Sequence, residues 1–228
     1  DSGHRVVSTV FVECASMYNV DAAVALAPVG ETEFVNGVAA MSASGAYGTE
    51  RIAAGIVGFA DLMLGRKVAA VLDAHMGASR RFRGIRHTTG WHESQSVRNA
   101  HSNPVAGQMS DSTFRVGFAE LAPRGLSFDA WFYHPQLKEL IDLADAFPNT
   151  QIILDHFGGP LGIGPYEGKA AEVFQVWRRD MMLLAKRPNV AVKLGGLVMP
   201  INGFGFHKRR KPPTSDELKA LTGDYYRC

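Results

Sequence analysis

The stretch at residues 151–159, QIILDHFGG, indicates the fold of this chain. Its first four residues form a short, nearly all-apolar run with two adjacent β-branched residues, the pattern of a strand buried on both faces of a parallel sheet. Asp155 and His156 follow directly, and the chain then turns through Gly158 and Gly159. In parallel α/β proteins the carboxyl ends of the strands carry the chemistry, because helices cover both faces of the sheet. Asp155 and His156 are therefore candidate site residues; the alternative is a pair that only hydrogen-bonds the turn.

Strand patterns alternate with helical patterns along the chain. The predicted strands cover residues 6–14, 52–59, 82–87, 126–133, 151–154 and 190–193. The predicted helices cover residues 65–76, 111–121, 135–146 and 170–186, with a last helix from Ser215. Residues 19–50 are predicted as a long excursion with one helical piece, and His75 is predicted to lie in the core. The alternation predicts a parallel sheet with crossover helices, either a barrel or an open doubly wound sheet.

Ionisable residues end strand after strand. They are Glu13, His87, His134, His156 and Lys193. No G-x-G-x-x-G follows the first strand, which weakens the interpretation as a dinucleotide-binding open sheet. Polar residues at successive strand ends favour the (β/α)8 TIM barrel, whose active sites lie at that face. Six of the eight strands of such a barrel are recognisable in the sequence.

The composition excludes several classes of protein. The 228 residues are 46% hydrophobic and 20% charged, which predicts one globular domain over residues 1–228 with a sizeable core. A net charge of +2 is too small for a nucleic-acid surface, and no apolar run approaches the roughly 20 residues that span a bilayer. Two cysteines are too few for a disulfide framework, and Cys14 is predicted inside an apolar strand. A reduced, cytoplasmic protein is therefore expected.

Five segments resemble the amidohydrolase-2 group of TIM-barrel metal-dependent hydrolases, the relatives of lactonases such as 2-pyrone-4,6-dicarboxylate hydrolase. The segments are VFVE at 10–13, FRGIRH at 82–87, FDAWFY at 128–133, LDHFGGP at 154–160 and VKLGG at 192–196. Their order and approximate spacing match along the chain, and LDHFGGP together with FRGIRH is fairly specific. The resemblance implies a (β/α)8 barrel of which this chain covers the second to the seventh strand.

The sequence departs from this group at both ends. Members begin with a strand carrying His-x-His, which supplies metal ligands, and end with a strand carrying an aspartate that serves as base or ligand. No His-x-His occurs in the 228 residues, and the chain stops at Cys228 before such an aspartate. An incomplete barrel exposes two strand edges. We therefore expect either that partner chains cover them, as in a homo-oligomer, or that the sequence is a fragment of a longer protein.

Three residues are candidates for catalysis. The resemblance implies that His156 binds metal or polarises the substrate carbonyl, and neutral imidazole suits either role near pH 7; the alternative is a histidine hydrogen-bonded under the turn at residues 158–159. Glu13 is a candidate to orient a ligand or accept a proton, or to pair with an arginine such as Arg86. Lys193 is a candidate to stabilise an oxyanion, or to neutralise Glu13.

Five residues are candidates for substrate binding. Arg86, with His87 beside it, is predicted to grip a substrate carboxylate, because a guanidinium binds carboxylates bidentately. Arg83 lies three residues earlier, so in an ideal strand only one of the two arginines faces the interior; an outward salt bridge is the alternative. Tyr133 and His134 lie where the resemblance places a substrate-facing aromatic residue or histidine, with packing as the alternative.

The sequence thus predicts a hydrolase that opens a lactone of a small carboxylic acid by water attack on a carbonyl. The resemblance implies one divalent metal ion, zinc, although some lactonases of this group are thought to need none. The expected partner is a small carboxylated lactone, with no nucleic acid and no membrane. Two alternatives stay open: a metal-dependent decarboxylase of the same superfamily, and a truncated barrel without activity, which the lack of His-x-His supports.

Overall fold

The computed structural model describes residues 3–228, which divide into two compact units. Unit 1 comprises the residues up to His87 together with Ser112–Asp129. Unit 2 comprises Thr88–Asp111 and Ala130–Cys228. The expectation of a single domain over residues 1–228 stays a prediction.

Six strands are present in the part of the chain that the structure describes. They are β1 (Ser8–Val12), β2 (Arg51–Gly58), β3 (Phe82–Arg86), β4 (Ser127–Ala130), β5 (Ile152–Leu154) and β6 (Val190–Val192). Their order in the sheet is their order in the chain. In unit 1, β1 to β4 pair in parallel, and in unit 2, β5 pairs in parallel with β6. This is the strand order of a TIM barrel with six of its eight strands, so the predicted α/β fold class is confirmed.

Helices follow the strands, as crossovers between parallel neighbours require. They are α1 (Val29–Ala43), α2 (Val68–Ala78), α3 (Ser112–Phe118), α4 (Leu137–Ala146), α5 (Ala170–Leu184) and α6 (Ser215–Arg227). The helical piece predicted within residues 19–50 is the 15-residue α1. Its buried face carries Glu31, Thr32 and Ser42 beside Val35 and Ala39. These polar and small residues hide the apolar period by which an amphipathic helix is recognised in a sequence.

Two predicted strands extend too far at their carboxyl ends. The strand predicted over residues 126–133 ends at Ala130. The strand predicted over residues 6–14 ends at Val12, so Cys14 lies beyond it and is exposed. The backbone N–H of Cys14 donates to Glu31 Oε1 at 3.1 Å instead of to a neighbouring strand. After β4 the residues at 131–133 are aromatic, so the sequence pattern does not show where strand pairing stops; after β1 the single charged residue Glu13 already marks the end of the strand.

The core of unit 1 holds a buried histidine. His75 on α2 is fully buried, as predicted, and its ring stacks on Phe82 with 4.7 Å between centroids. Thr32 contacts its Nδ1 at 2.9 Å and the Phe59 carbonyl contacts its Nε2 at 3.0 Å. Burial is the main cause that lowers the pKa of His75. The imidazole therefore packs in the core as a neutral, hydrogen-bonded group.

The core of unit 2 fixes the residues that follow β5. Trp177 on α5 is fully buried, and its indole Nε1 donates to the backbone oxygen of Phe157 at 2.7 Å. Leu137 and Leu140 on α4 are buried as well. Within residues 3–228, each helix is too short or too polar to cross a membrane.

Candidate active site

In unit 1, an ion pair lies at the carboxyl ends of β1 and β3. Glu13 follows β1 and is fully buried. Arg86, the last residue of β3, donates from Nε to Glu13 Oε1 at 2.8 Å and from Nη2 to the Glu13 backbone oxygen at 2.6 Å. The pairing of Glu13 with Arg86, one of the alternatives left open by the sequence, is therefore present.

The loop after β1 is held by a second buried carboxylate. Glu31 Oε1 accepts hydrogen bonds from the backbone N–H of Ser16 at 2.8 Å and from its hydroxyl at 3.1 Å. Ala15 and Met17, on either side, have φ values of 58° and 53°. Non-glycine residues occupy this left-handed region only where surrounding contacts enforce it. Glu31 supplies such contacts here.

In unit 2, a second ion pair lies at the ends of β5 and β6. Asp155 follows β5 and is fully buried. Its Oδ1 lies 2.8 Å from Nζ of Lys193, which follows β6 and whose side chain is 37% exposed. The Lys193 backbone N–H donates to Leu154 O at 2.9 Å, which continues the parallel ladder. The ammonium group is thus fixed at the strand end and still reachable by solvent.

His156 begins a turn whose backbone is left-handed throughout. The φ values of His156, Phe157, Gly158 and Gly159 are 49°, 56°, 67° and 55°. For the two non-glycine residues this conformation costs roughly 1–2 kcal/mol each. The bond from Trp177 to the Phe157 oxygen helps to enforce it. Strained backbone of this kind clusters at functional sites.

The His156 ring is held by its neighbours. It packs edge-to-face on Trp131, with 5.1 Å between centroids and 82° between planes. Its Nδ1 lies 3.4 Å from the Gly195 carbonyl oxygen. A Cβ at Gly196 would overlap this same Nδ1, and Gly196 has φ 82°, so the position requires glycine. The ring remains partly exposed and can contact a ligand.

His87 and Arg83 make mainly local contacts. His87 is buried, and its Nδ1 accepts the backbone N–H of Leu62 at 3.1 Å. Arg83 is exposed, and its Nη1 donates to the carbonyls of Arg80 and Phe82 at 2.7 and 2.8 Å. Both arrangements stabilise the ends of β3 and its neighbours. Substrate binding by these two residues stays a prediction.

Tyr133 packs against Trp131, the residue that contacts the His156 ring. It is 4% exposed, and its ring packs edge-to-face on Trp131 with 6.0 Å between centroids. Its hydroxyl donates to the backbone oxygen of Arg98. Desolvation raises the pKa of the Tyr133 hydroxyl. These contacts favour support of Trp131 over direct contact with a ligand.

The side chain of His134 is buried within unit 2. Its Nδ1 accepts the backbone N–H of Leu161 at 3.2 Å. Burial, followed by the nearby His92, lowers the pKa of His134 to about 4, against a smaller opposing effect of Asp180. The ring is therefore neutral near pH 7.

The structure thus brings Glu13 and Arg86 together in unit 1, and His156 with the Lys193–Asp155 pair in unit 2. Sequence reasoning did not single out Trp131 or Gly196. The double glycine at 195–196, two residues past the end of β6, was the available signal for close approach of another group. For Trp131, the segment FDAWFY showed that the residue follows a strand, but not that it contacts His156.

The described residues do not fit a zinc site by themselves. Among residues 3–228, no three His, Cys, Asp or Glu side chains are placed to hold one metal ion. A zinc site takes three or four protein donors. His156 offers one imidazole, and the neighbouring Asp155 carboxylate already holds the Lys193 ammonium at 2.8 Å. No chemical step is therefore derived through a metal.

Two crystal structures of an amidohydrolase from Burkholderia multivorans share the fold. The one with bound zinc has a TM-score of 0.61 and 23% identity, over 86% of this chain and 58% of that chain. The one with bound HEPES has a TM-score of 0.57 and 20% identity, over 97% of this chain and 77% of that chain. At such identities the likeness concerns the fold alone.

A curated relative and a family model match this sequence, and the family model assigns the family. The uncharacterized protein y4mH of Sinorhizobium fredii (strain NBRC 101917 / NGR234) is 39% identical over 174 residues, which are 75% of this chain and 51% of that protein. The chain therefore spans about half the length of this curated relative. The family model described as Amidohydrolase matches residues 15–219. The predicted resemblance is confirmed at this level: the chain belongs to the amidohydrolase family.

Proposed function

We propose that this chain contributes the catalytic face of a hydrolase that opens a lactone of a small carboxylic acid. The observation that carries the proposal is His156, a partly exposed imidazole fixed on a strained turn at the carboxyl end of β5. That end of a parallel strand is where TIM-barrel active sites lie. Family membership supports hydrolysis as the reaction class.

In the proposed reaction, water attacks the lactone carbonyl and negative charge develops on the carbonyl oxygen. Because Nδ1 faces the Gly195 carbonyl, an acceptor, His156 donates to that oxygen from Nε2 when both ring nitrogens carry a proton, and the Lys193 ammonium on the neighbouring strand adds positive charge. Asp155 holds Lys193 in place. When the tetrahedral intermediate collapses, the ring C–O bond breaks and the leaving oxygen takes up a proton. The product is an open-chain hydroxy acid.

Carboxylate binding by Arg86 rests on the chemistry of its guanidinium at a strand end and stays a prediction. The plane of that guanidinium is fixed by Glu13. Glu13 is accordingly a positioning residue in this proposal. Removal of a proton from water is assigned to neither Glu13 nor Asp155, because both carboxylates are buried and ion-paired. The resemblance implies an aspartate on the last barrel strand as the base; without it, oxyanion stabilisation by His156 and Lys193 is expected to leave a residual rate.

Zinc enters the proposal only by analogy. The Burkholderia amidohydrolase binds it, whereas this chain offers His156 alone at the end of β5. If His156 is a metal ligand, further donors must come from outside the described residues. Metal analysis of the purified chain, with and without added zinc, would measure this directly.

The test is a pH-stat assay of the chain against a panel of carboxylated lactones, beside His156→Asn. We expect acid release from the parent chain and a loss of about 100-fold or more in His156→Asn, the scale on which acid–base and oxyanion groups act. The matched control is His207→Asn, since His207 is exposed on the short helical turn at residues 206–208.

Three outcomes would contradict the proposal. Acid release that persists in His156→Asn would remove His156 from the reaction. Release of carbon dioxide in place of a hydroxy acid would favour the decarboxylase. A chain that is folded by circular dichroism and releases neither product would favour the barrel without activity.

A further inference from the structure

A separate cavity lies within unit 2, and neither His156 nor Lys193 lines it. Its volume is about 350 Å³, within the roughly 300–1,000 Å³ of small-molecule sites. Polar rings and apolar side chains share the lining: His92, His134, Tyr166, Pro135, Val173 and Val176. A cavity of this size with a few polar groups has the composition of a ligand site.

His134 presents a hydrogen-bond donor to this cavity. The ring is 97% enclosed, with 3% of its surface exposed. Because Nδ1 accepts the Leu161 N–H, the neutral ring carries its proton on Nε2. Among residues 3–228 the Nε2–H has no hydrogen-bond acceptor, and Nε2 is not fully enclosed. Since His134 also lines the cavity, this N–H is the donor that we assign to it.

Tyr166 presents a second donor. The Ser94 backbone N–H donates to His92 Nδ1 at 2.9 Å, so the proton of His92 lies on Nε2. His92 Nε2 then donates to Tyr166 Oη at 3.2 Å. Since Oη accepts this bond, its own O–H is left to donate. The rings of His134 and Tyr166 pack edge-to-face with 5.0 Å between centroids, so the two side chains are neighbours in the lining.

The charges of the residues around the cavity indicate which kind of hydrogen-bond acceptor a ligand would present. Both donors are neutral, and burial keeps His134 neutral near pH 7 by lowering its pKa to about 4. A buried anion would need a buried cation as partner. Lys169 is exposed, and the lining also contains the exposed carboxylates of Glu93 and Glu172. The lining thus favours an uncharged acceptor, and a carbonyl oxygen has two lone pairs for two donors.

We propose that this cavity binds a small neutral carbonyl compound. Its oxygen accepts hydrogen bonds from His134 Nε2 and Tyr166 Oη, and its hydrocarbon part contacts Val173 and Val176. The site is distinct from the turn at His156, so it does not depend on the hydrolase proposed above.

The first experiment compares two probes of similar shape on the parent chain. Cyclopentanone carries the acceptor and cyclopentene lacks it. With ¹⁵N-labelled histidine, we expect cyclopentanone to shift the His134 Nε2–H resonance in a saturable manner and cyclopentene to leave it unchanged. Equal shifts from both probes, or no saturable shift from cyclopentanone, would overturn the proposal without need of any variant.

The second experiment removes each donor and follows binding of cyclopentanone by ligand-observed saturation-transfer NMR. Tyr166→Phe deletes only the hydroxyl, and His134→Asn keeps an oxygen acceptor for the Leu161 N–H while deleting Nε2–H. Each is expected to weaken binding about three- to tenfold, the scale of one neutral hydrogen bond. Tyr47→Phe, at an exposed position of unit 1, is the matched control. Unchanged affinity in both folded variants would contradict the assignment.

Discussion

The turns after β1 and β5 have two structural features in common. Each strand is followed by a fully buried carboxylate, Glu13 or Asp155, that is paired with a cation from another strand end. Each turn then contains two non-glycine residues with left-handed φ. In both, buried charge and strained backbone occur together.

The two turns differ in what remains accessible. Arg86 binds Glu13 through two nitrogens, and its side chain is only 18% exposed. Lys193 offers a single ammonium and is 37% exposed, and the residue after Asp155 is the partly exposed His156. The comparison teaches that a strained turn with a buried ion pair is first a structural device. It becomes a candidate active site where a chemically useful side chain stays exposed beside it.

The largest expected effect is a difference in stability loss between variants of the two ion pairs. Arg86→Met should lower the free energy of unfolding by about 3–5 kcal/mol, because it takes a partner from a fully buried carboxylate. Lys193→Met should cost less, about 1–3 kcal/mol: it also removes a partner from a fully buried carboxylate, Asp155, but water already reaches the exposed lysine end and can solvate that side of the pair. Urea unfolding of both variants measures the difference. Equal losses of stability in the two variants would contradict this difference between the ion pairs.

A pH effect extends the comparison to a buried histidine of each unit. The pKa of His134 is lowered from 6.5 to about 4, chiefly by burial, and that of His75 is lowered for the same main reason. Between these values the unfolded chain binds more protons, so the free energy of unfolding should fall as pH falls from about 6.5 to about 4. For His134 alone the loss is about 3 kcal/mol. His134→Asn should flatten this slope in urea titrations, whereas His207→Asn should leave it unchanged.

Gly196→Ala tests whether Gly196 is needed to position the partly exposed His156 ring. The new methyl group would overlap His156 Nδ1. We expect about tenfold less acid release and a loss of roughly 1–2 kcal/mol in stability, since alanine is also strained at left-handed φ. Gly195→Ala is the matched control, because a Cβ there meets no atom within 4 Å. Equal activities of the two variants would contradict a positioning role for Gly196.

The smallest expected effect concerns strain in the β1 turn. Ala15 is exposed and has φ 58°, so Ala15→Gly should raise the free energy of unfolding by about 0.5–1 kcal/mol. Ala40→Gly, at an exposed position within α1, should lower it by a similar amount. Paired thermal melts give the two signs. A loss of stability in Ala15→Gly would mean that the strain at this turn is not borne by Ala15.

Much of the fold could be predicted from local patterns. The apolar run around Ile152 fixes a buried strand and the one around Val190 a strand that pairs with it, and the polar residues directly after them mark strand ends. The predicted carboxyl ends failed at Cys14, which lies one residue past the charged Glu13, and beyond Ala130, where the composition stays apolar. The candidate site was predicted in the same partial way: His156 and Lys193 were identified, whereas the contact between Trp131 and His156 was not.

The sequence by itself determined the order of strands, the family and the set of ionisable residues at the strand ends, because these depend on periodicity and on motifs within a few residues. Tertiary structure alone decided the partners. Glu13 pairs with Arg86 across 73 positions, and Asp155 with Lys193 on the adjacent strand. It also decided which side chains stay exposed, since Asp155 is buried while the next residue, His156, is not. Pairing and burial depend on which chain segments meet in space, and no local pattern encodes that.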